Sequence, residues 1–160
     1  MTAITRLAAR LPIPIATSSL IQIPAILAWL PPTKHIGVVT FDATQLVNTH
    51  FAQLGVPESA FNRIHITGAP ADGELQPLVR TGTEYRHAIL EAELVSAAIA
   101  LVKQHSNIGA IVLECTQMPP FAEAIQKALV GIPVYDVYTM ARWFYSGLVR
   151  QRPSEWGPVP

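Results

Sequence analysis

The sequence predicts an α/β domain built on a doubly wound parallel sheet, and three observations carry that prediction. Short β-branched runs alternate with stretches of helical apolar spacing, and no two strand runs are joined by a hairpin signal. The chain is 50% hydrophobic and only 14% charged, which suits strands covered by helices on both faces. At 160 residues it is long enough to bury a core of its own.

Taken in order, Ala3 to Arg10 reads as an amphipathic helix, Ile13 to Thr17 as a strand, Ser18-Ser19 as a loop and Leu20 to Leu30 as a helix. No charge falls between Arg10 and Lys34, so with Arg6 and Arg10 ahead of it this stretch has the look of a signal anchor. Pro12, Pro14, Pro24, Pro31 and Pro32, with polar Thr17, Ser18, Ser19 and Gln22, break a single spanning helix, and no membrane partner is expected. His35 to Thr40 reads as a strand, Ala43 to Leu54 as a helix capped by Asp42, and Asn62 to Thr67 as a further strand. Gly68 to Gly82 is a Gly- and Pro-containing loop with room for a short helix at Leu75 to Val79. Glu84 to Gln104 is a long helix with apolar Ile89, Leu94, Val95, Ala98, Ile99 and Val102. Strand Ile108 to Leu113, helix Phe121 to Leu129, strand Pro133 to Asp136 and helix Tyr138 to Val149 complete the alternation, and residues 151–160 read as a tail.

The residue that demands explanation is Cys115, the single cysteine. It follows an uncharged strand, and Glu114-Cys115-Thr116-Gln117-Met118 leads to Pro119 and Pro120 at the start of a helix, where a missing N–H costs nothing. Ligands of open α/β sheets bind at the carboxyl ends of strands, and a helix N-terminus favours an anion, whether a thiolate or a substrate carboxylate. A reactive thiol and a buried structural one are both open readings. One cysteine forms no internal disulfide, which favours a reducing, cytoplasmic setting. The formal net charge is zero and there is no basic run, so no nucleic-acid partner is expected.

Other polar residues carry weaker signals. Glu84, His87 and Glu91 share helical spacing, but a carboxylate-bridged metal pair needs that motif twice, so a solvated face is expected and no metal. His35, His50, His65, His87 and His105 never fall at ligand spacing, and no phosphate loop is present. Asp136 suits a site role or a helix cap. Trp29, Trp143, Phe144 and Tyr145 read as core or interface aromatics. Helix Ala3 to Ala8 entering Ile13-Pro14-Ile15 resembles helix Ala124 to Leu129 entering Ile132-Pro133-Val134, a faint internal repeat.

Leu113-Glu114-Cys115-Thr116-Gln117-Met118-Pro119-Pro120, followed by Ile132-Pro133-Val134-Tyr135-Asp136, resembles the second cysteine motif of the cofactor-independent aspartate/glutamate/hydantoin racemase superfamily. Ile13 to Leu20 and Ile36 to Ala43 resemble its domain crossover and the first strand of its second domain. The resemblance implies two similar lobes, with residues 1–17 a remnant of the first, 18–131 the second, and 132–150 returning to the first. It implies no metal, no pyridoxal phosphate, and a small carboxylate substrate held between two cysteines that exchange a proton at its α-carbon. Cys115 would be the second of these, with Thr116, Gln117, Thr40, Ser18 and Asp42 binding substrate. The first-lobe cysteine has no counterpart, and the internal repeat puts its equivalent upstream of Met1. The resemblance therefore implies an N-terminally truncated, inactive racemase-like chain, with a single-cysteine decarboxylase of the arylmalonate type or a non-catalytic module as alternatives. Exposed apolar helix faces left by such a truncation would favour a homodimer.

Overall fold

The computed structural model describes residues 3–150 together with Pro153, Trp156 and Gly157. Met1 and most of the expected tail lie outside the described residues. Among the described residues four strands, β1 (His35–Thr40), β2 (Ile64–Gly68), β3 (Ile108–Leu113) and β4 (Val134–Tyr135), form one parallel sheet in the order β2-β1-β3-β4. Ile36 pairs with Ile64 on one side and Ala110 on the other, and Val112 pairs with Tyr135. The α/β reading therefore holds.

Seven helices connect and cover the strands among the described residues: α1 (Ala3–Ala8), α2 (Ile23–Trp29), α3 (Asn48–Ala52), α4 (Leu75–Thr81), α5 (His87–Gln104), α6 (Ala122–Ala128) and α7 (Val137–Leu148). Alternation along β1 and β3 sends Val39, Ile111 and Leu113 into a core with Leu90, Leu94, Ala98 and Leu101 of α5 and Ile125 of α6. Ile36, Val38, Ala110 and Val112 enter a second core with Ile23, Ile26 and Leu27 of α2 and Phe51 of α3. Helices thus cover both faces, and the central strands read as continuous apolar runs because neither face meets water. Gly37 permits the closest approach, since a Cβ there would lie 2.7 Å from Ile111 Cδ1 and 2.9 Å from Leu101 Cδ2.

The structure departs from the sequence reading where tertiary pairing decides. Residues 13–17 form no strand: Pro12 and Pro14 lack N–H donors, and Ile13 is exposed. The expected helix Ala43 to Leu54 is split into a 3₁₀ turn (Ala43–Gln45) and α3, because Leu46 and Val47 are extended. Helix α5 begins at His87, so Glu84 lies outside it and the three-ligand face does not form, although His87 sits 3.6 Å from Glu91. Its buried stripe is Leu90, Leu94, Ala98 and Leu101, whereas Ile89 faces solvent. Among the described residues no helix is long and apolar enough to cross a membrane.

The strand order reverses direction about β1. From β1 the chain moves outward to β2, then crosses to the far side of β1 as β3 and continues to β4. The connections that leave the carboxyl ends of β1 and β3 therefore run in opposite directions, and the crevice between such connections is where sheets of this kind bind ligands.

Candidate active site

Thr40 ends β1 and Glu114 follows β3, and the pairing of Val39 with Leu113 puts them side by side in that crevice. The Thr40 hydroxyl, almost fully buried, donates to Glu114 Oε2 at 2.8 Å. The Glu114 N–H donates to Val39 O at 2.8 Å, extending the ladder one residue beyond the strand. Cys115 comes next and is half-buried against the core on the α5 side, which includes Met118 and Phe121. Thr40 and Cys115 thus open onto one sheet edge.

The surroundings of Cys115 favour the thiol over the thiolate. Burial pushes the Cys115 thiol above its ordinary pKa and the neighbouring Glu114 carboxylate pushes the same way, while a hydrogen bond from the Gln117 N–H opposes both. The helix that was to supply a field begins as a 3₁₀ turn (Pro119–Phe121), whose two prolines carry no N–H, and α6 itself is only seven residues long. That is too weak an array of free donors to outweigh desolvation.

A second set of contacts ties the α2 side to the same edge. Ser19, almost wholly buried, donates its Oγ hydrogen to Leu113 O at 2.8 Å, anchoring the 3₁₀ turn Ser19–Gln22 to the end of β3. Gln22 Nε2 donates to Ser19 O at 3.1 Å and to Asp136 O at 3.0 Å. Ser18 serves this turn as its cap, accepting from the Leu20 N–H at 3.2 Å. Asp136 is the cap of α7, with Oδ1 accepting from the Thr139 N–H at 2.7 Å.

Asp42 accepts from the Thr44 N–H at 3.0 Å and the Thr44 hydroxyl at 2.7 Å, and these bonds hold its carboxyl below the ordinary range, with Arg80 at 3.4 Å adding to the effect. With Thr44, Gln76, Pro77, Arg80 and Thr81 it lines an open pocket of about 570 Å³ beyond the ends of β1 and β2. Gln76 Nε2 donates to Ala69 O at 3.0 Å, fixing α4 over the sheet edge. The Arg80 guanidinium lies over the Phe41 ring, 5.3 Å from its centre, and Phe41 packs against the same core as Cys115. Gly68 makes this approach possible, because a Cβ there would stand 2.8 Å from the Ala43 backbone nitrogen.

The structure therefore brings Thr40, Glu114 and Cys115 together, with Thr116 and Gln117 exposed just beyond the thiol. It places Ser18 in a cap and Asp42 in the neighbouring Arg80 pocket. Sequence reasoning passed over Glu114, Ser19 and Arg80; the available signal for Glu114 was its position directly after a strand, beside the cysteine. Among the described residues no group of three or more His, Cys, Asp or Glu could hold a metal.

Comparison with known proteins gives two relatives. Over 56 residues, 35% of this chain, the sequence is 41% identical to a protein of Durusdinium sp. clade D named dimethylsulfoniopropionate lyase. Over 84 residues, 52% of this chain, it is 33% identical to dimethylsulfoniopropionate lyase 5 of Emiliania huxleyi (strain CCMP1516). Both relatives are named as lyases. The matched stretches are 18% and 16% of those proteins, less than a fifth of either. No family model matches the chain, and no solved structure matches it.

These names correct the racemase resemblance and the isomerase activity it implied. The decarboxylase and non-catalytic alternatives find no support either. The two activities ask for different numbers of bases. A racemase must remove a proton from one face and return one to the other, whereas a lyase that eliminates a leaving group needs no base on the second face.

Proposed function

We propose that this chain carries a lyase site for a small carboxylate bearing a β-sulfonium group, of the dimethylsulfoniopropionate type. The observation that carries the reading is the name shared by both relatives. The crevice supplies parts suited to such a reaction. The Cys115 thiolate takes a proton from the carbon next to the substrate carboxylate. The C–H electron pair becomes the new carbon–carbon double bond, and the carbon–sulfur bond breaks with its pair passing to sulfur. The products are acrylate and neutral dimethyl sulfide, and the thiol returns its proton to solvent, so atoms and charge balance.

Two features favour Cys115 as the base. A carbon acid of this kind is very weak, and a thiol pushed up by burial gives a more basic thiolate than an ordinary cysteine. Holding the Glu114 carboxylate beside it through Thr40 keeps negative charge near the thiol and sustains that basicity. Arg80 is the cation of the neighbouring pocket, and its guanidinium suits the substrate carboxylate. Neutralising that carboxylate also lowers the cost of placing charge on the adjacent carbon.

The test is direct: incubate the chain with dimethylsulfoniopropionate and follow acrylate and dimethyl sulfide together. The reading expects equal amounts of both, abolished in Cys115→Ala, and a raised KM with a smaller change in kcat for Arg80→Ala. Acrylate released at the same rate by Cys115→Ala would remove the thiol from the reaction. No acrylate from the wild-type chain would refute the substrate class.

A further inference from the structure

A second pocket, of about 230 Å³, lies over the β4 edge between α2 and α7, lined by Gln22, Ala25, Trp29, Tyr135, Thr139 and Trp143. It is separate from the thiol, since Tyr135 packs with the core on the α2 side and Cys115 with the core on the α5 side. Three aromatic rings reach it from three different elements, and the Trp29 and Tyr135 ring centres stand 6.4 Å apart at 41°. Trp29 and Trp143 are 61% and 65% exposed, an arrangement that leaves two indoles in water around a cavity.

The polar floor of this pocket has a definite sign. Both Gln22 amide hydrogens are already given to Ser19 O and Asp136 O, so its side chain presents only oxygen lone pairs. The Thr139 hydroxyl accepts from the Asp136 N–H at 2.9 Å, and its one hydrogen is shared between Asp136 O at 2.9 Å and Gln22 Oε1 at 3.2 Å, so it too is committed. Asp136, whose carboxylate caps α7, is buried directly behind, and among the described residues it forms no ion pair. Among the described residues no lysine or arginine lines the pocket, and Arg142, beside Trp143 in the chain, lies over the Tyr138 ring, 5.7 Å from its centre. Aromatic faces, spare oxygen lone pairs and a buried carboxylate together attract a cation that needs no hydrogen-bond acceptor of its own.

We infer that this aromatic pocket is a second binding site, taking a small methylated onium cation, a quaternary ammonium or a sulfonium. Such a head group is too poorly hydrated to be held back by water, and its methyl groups spread the charge over surfaces that ring faces bind well. The inference rests on the pocket alone and stands whether or not the Cys115 site is a lyase.

The experiment compares choline with 3,3-dimethylbutan-1-ol, its uncharged carbon isostere, at constant ionic strength. The readout is the indole N–H signals of the three tryptophans in ¹H–¹⁵N NMR spectra, assigned through Trp29→Phe, Trp143→Phe and Trp156→Phe. Choline should shift the Trp29 and Trp143 signals saturably and leave Trp156 in place, and trimethylsulfonium chloride should do the same. The isostere should bind about tenfold more weakly, and Trp143→Ala should weaken choline by a similar factor. Because both tryptophans are exposed, their alanine variants should retain the wild-type spectrum elsewhere. Equal binding of the isostere would make the pocket merely apolar and overturn the inference. So would the absence of a saturable shift, or indole shifts that follow protein concentration without ligand, which would mean that a second copy covers the pocket.

Discussion

Replacing Thr40 with valine should loosen the crevice without disturbing the sheet around it. Valine keeps the shape and β-propensity of threonine, so β1 and its pairing to β2 and β3 stay intact. What disappears is the hydrogen bond from Oγ1 to Glu114 Oε2, 2.8 Å long and almost fully buried at its donor end. A hydrogen bond to a charged group contributes about 1.5–3 kcal/mol. Glu114 is half-exposed and can turn to water, which brings the expected loss to about 1–2 kcal/mol. For a chain of this length that is a drop in Tm of roughly 3–6 °C. The assay is thermal unfolding of wild type, Thr40→Val, Glu114→Leu and the double variant. The two single effects should fail to add by about 1 kcal/mol, since the second change removes a bond already lost. A Thr40→Val chain that melts with the wild type, or single effects that sum in the double variant, would show that the bond does not hold the crevice.

Gly68→Ala should be more disruptive than its size implies, about 1–3 kcal/mol with weaker substrate binding, because the new Cβ would press on the Ala43 backbone and displace the Asp42 turn. A fully stable variant with an unchanged KM would argue against that packing. Cys115 should alkylate with iodoacetamide more slowly than free cysteine at neutral pH, since burial raises its pKa; a faster rate would reverse the direction assigned here. At the opposite end of the sheet, His35, His65 and His105 stack, with ring centres 5.0 Å and 3.7 Å apart and His35 Nδ1 2.8 Å from His65 Nε2. Burial first, then Arg63 and His105 for His35 and the other two rings' charges for His65, lowers both pKa values. The unfolded chain therefore binds protons before the folded one, so stability is complete above about pH 6.5 and falls as the pH drops through that value. Denaturant midpoints between pH 7.5 and 5 should show this loss, reduced in His65→Phe; an identical slope in the variant would exclude the stack as its source.

The sequence was most legible where local and tertiary preferences agree. His35–Thr40 and Ile108–Leu113 read as buried parallel strands from composition alone, and both are strands with those bounds. Their shared edge followed from the alternation of elements. Residues 13–17 misled because a β-branched run becomes a strand only with a neighbour to pair with, and the flanking prolines remove donors. Of the apolar positions read on α5, Leu94 and Ala98 are buried and Val95, Ile99 and Val102 pack against the same core, whereas Ile89 faces solvent and Leu90 and Leu101 were passed over. That helix is apolar on most sides, and spacing alone does not say which residues face the sheet. Ser19, not Ser18, ties the turn to β3, a distinction of one residue that only the path of the backbone decides. The histidine stack and the aromatic pocket join residues far apart in the chain, and no local spacing announces them. The racemase resemblance rested on the cysteine motif, which marks a thiol at a strand end but does not by itself distinguish returning a proton from expelling a leaving group.

The pH dependence of acrylate release is the measurement that bears most directly on the claim that Cys115 is the base. If the thiolate removes the proton, kcat/KM for dimethylsulfoniopropionate should climb through neutral pH into the alkaline range, following the titration of Cys115 measured independently by alkylation. Glu114→Gln, which removes the carboxylate that pushes the thiol up, should move both curves together toward lower pH. A rate that is already constant in mildly acidic solution, or a rate profile that stays in place while the alkylation curve moves, would contradict the account.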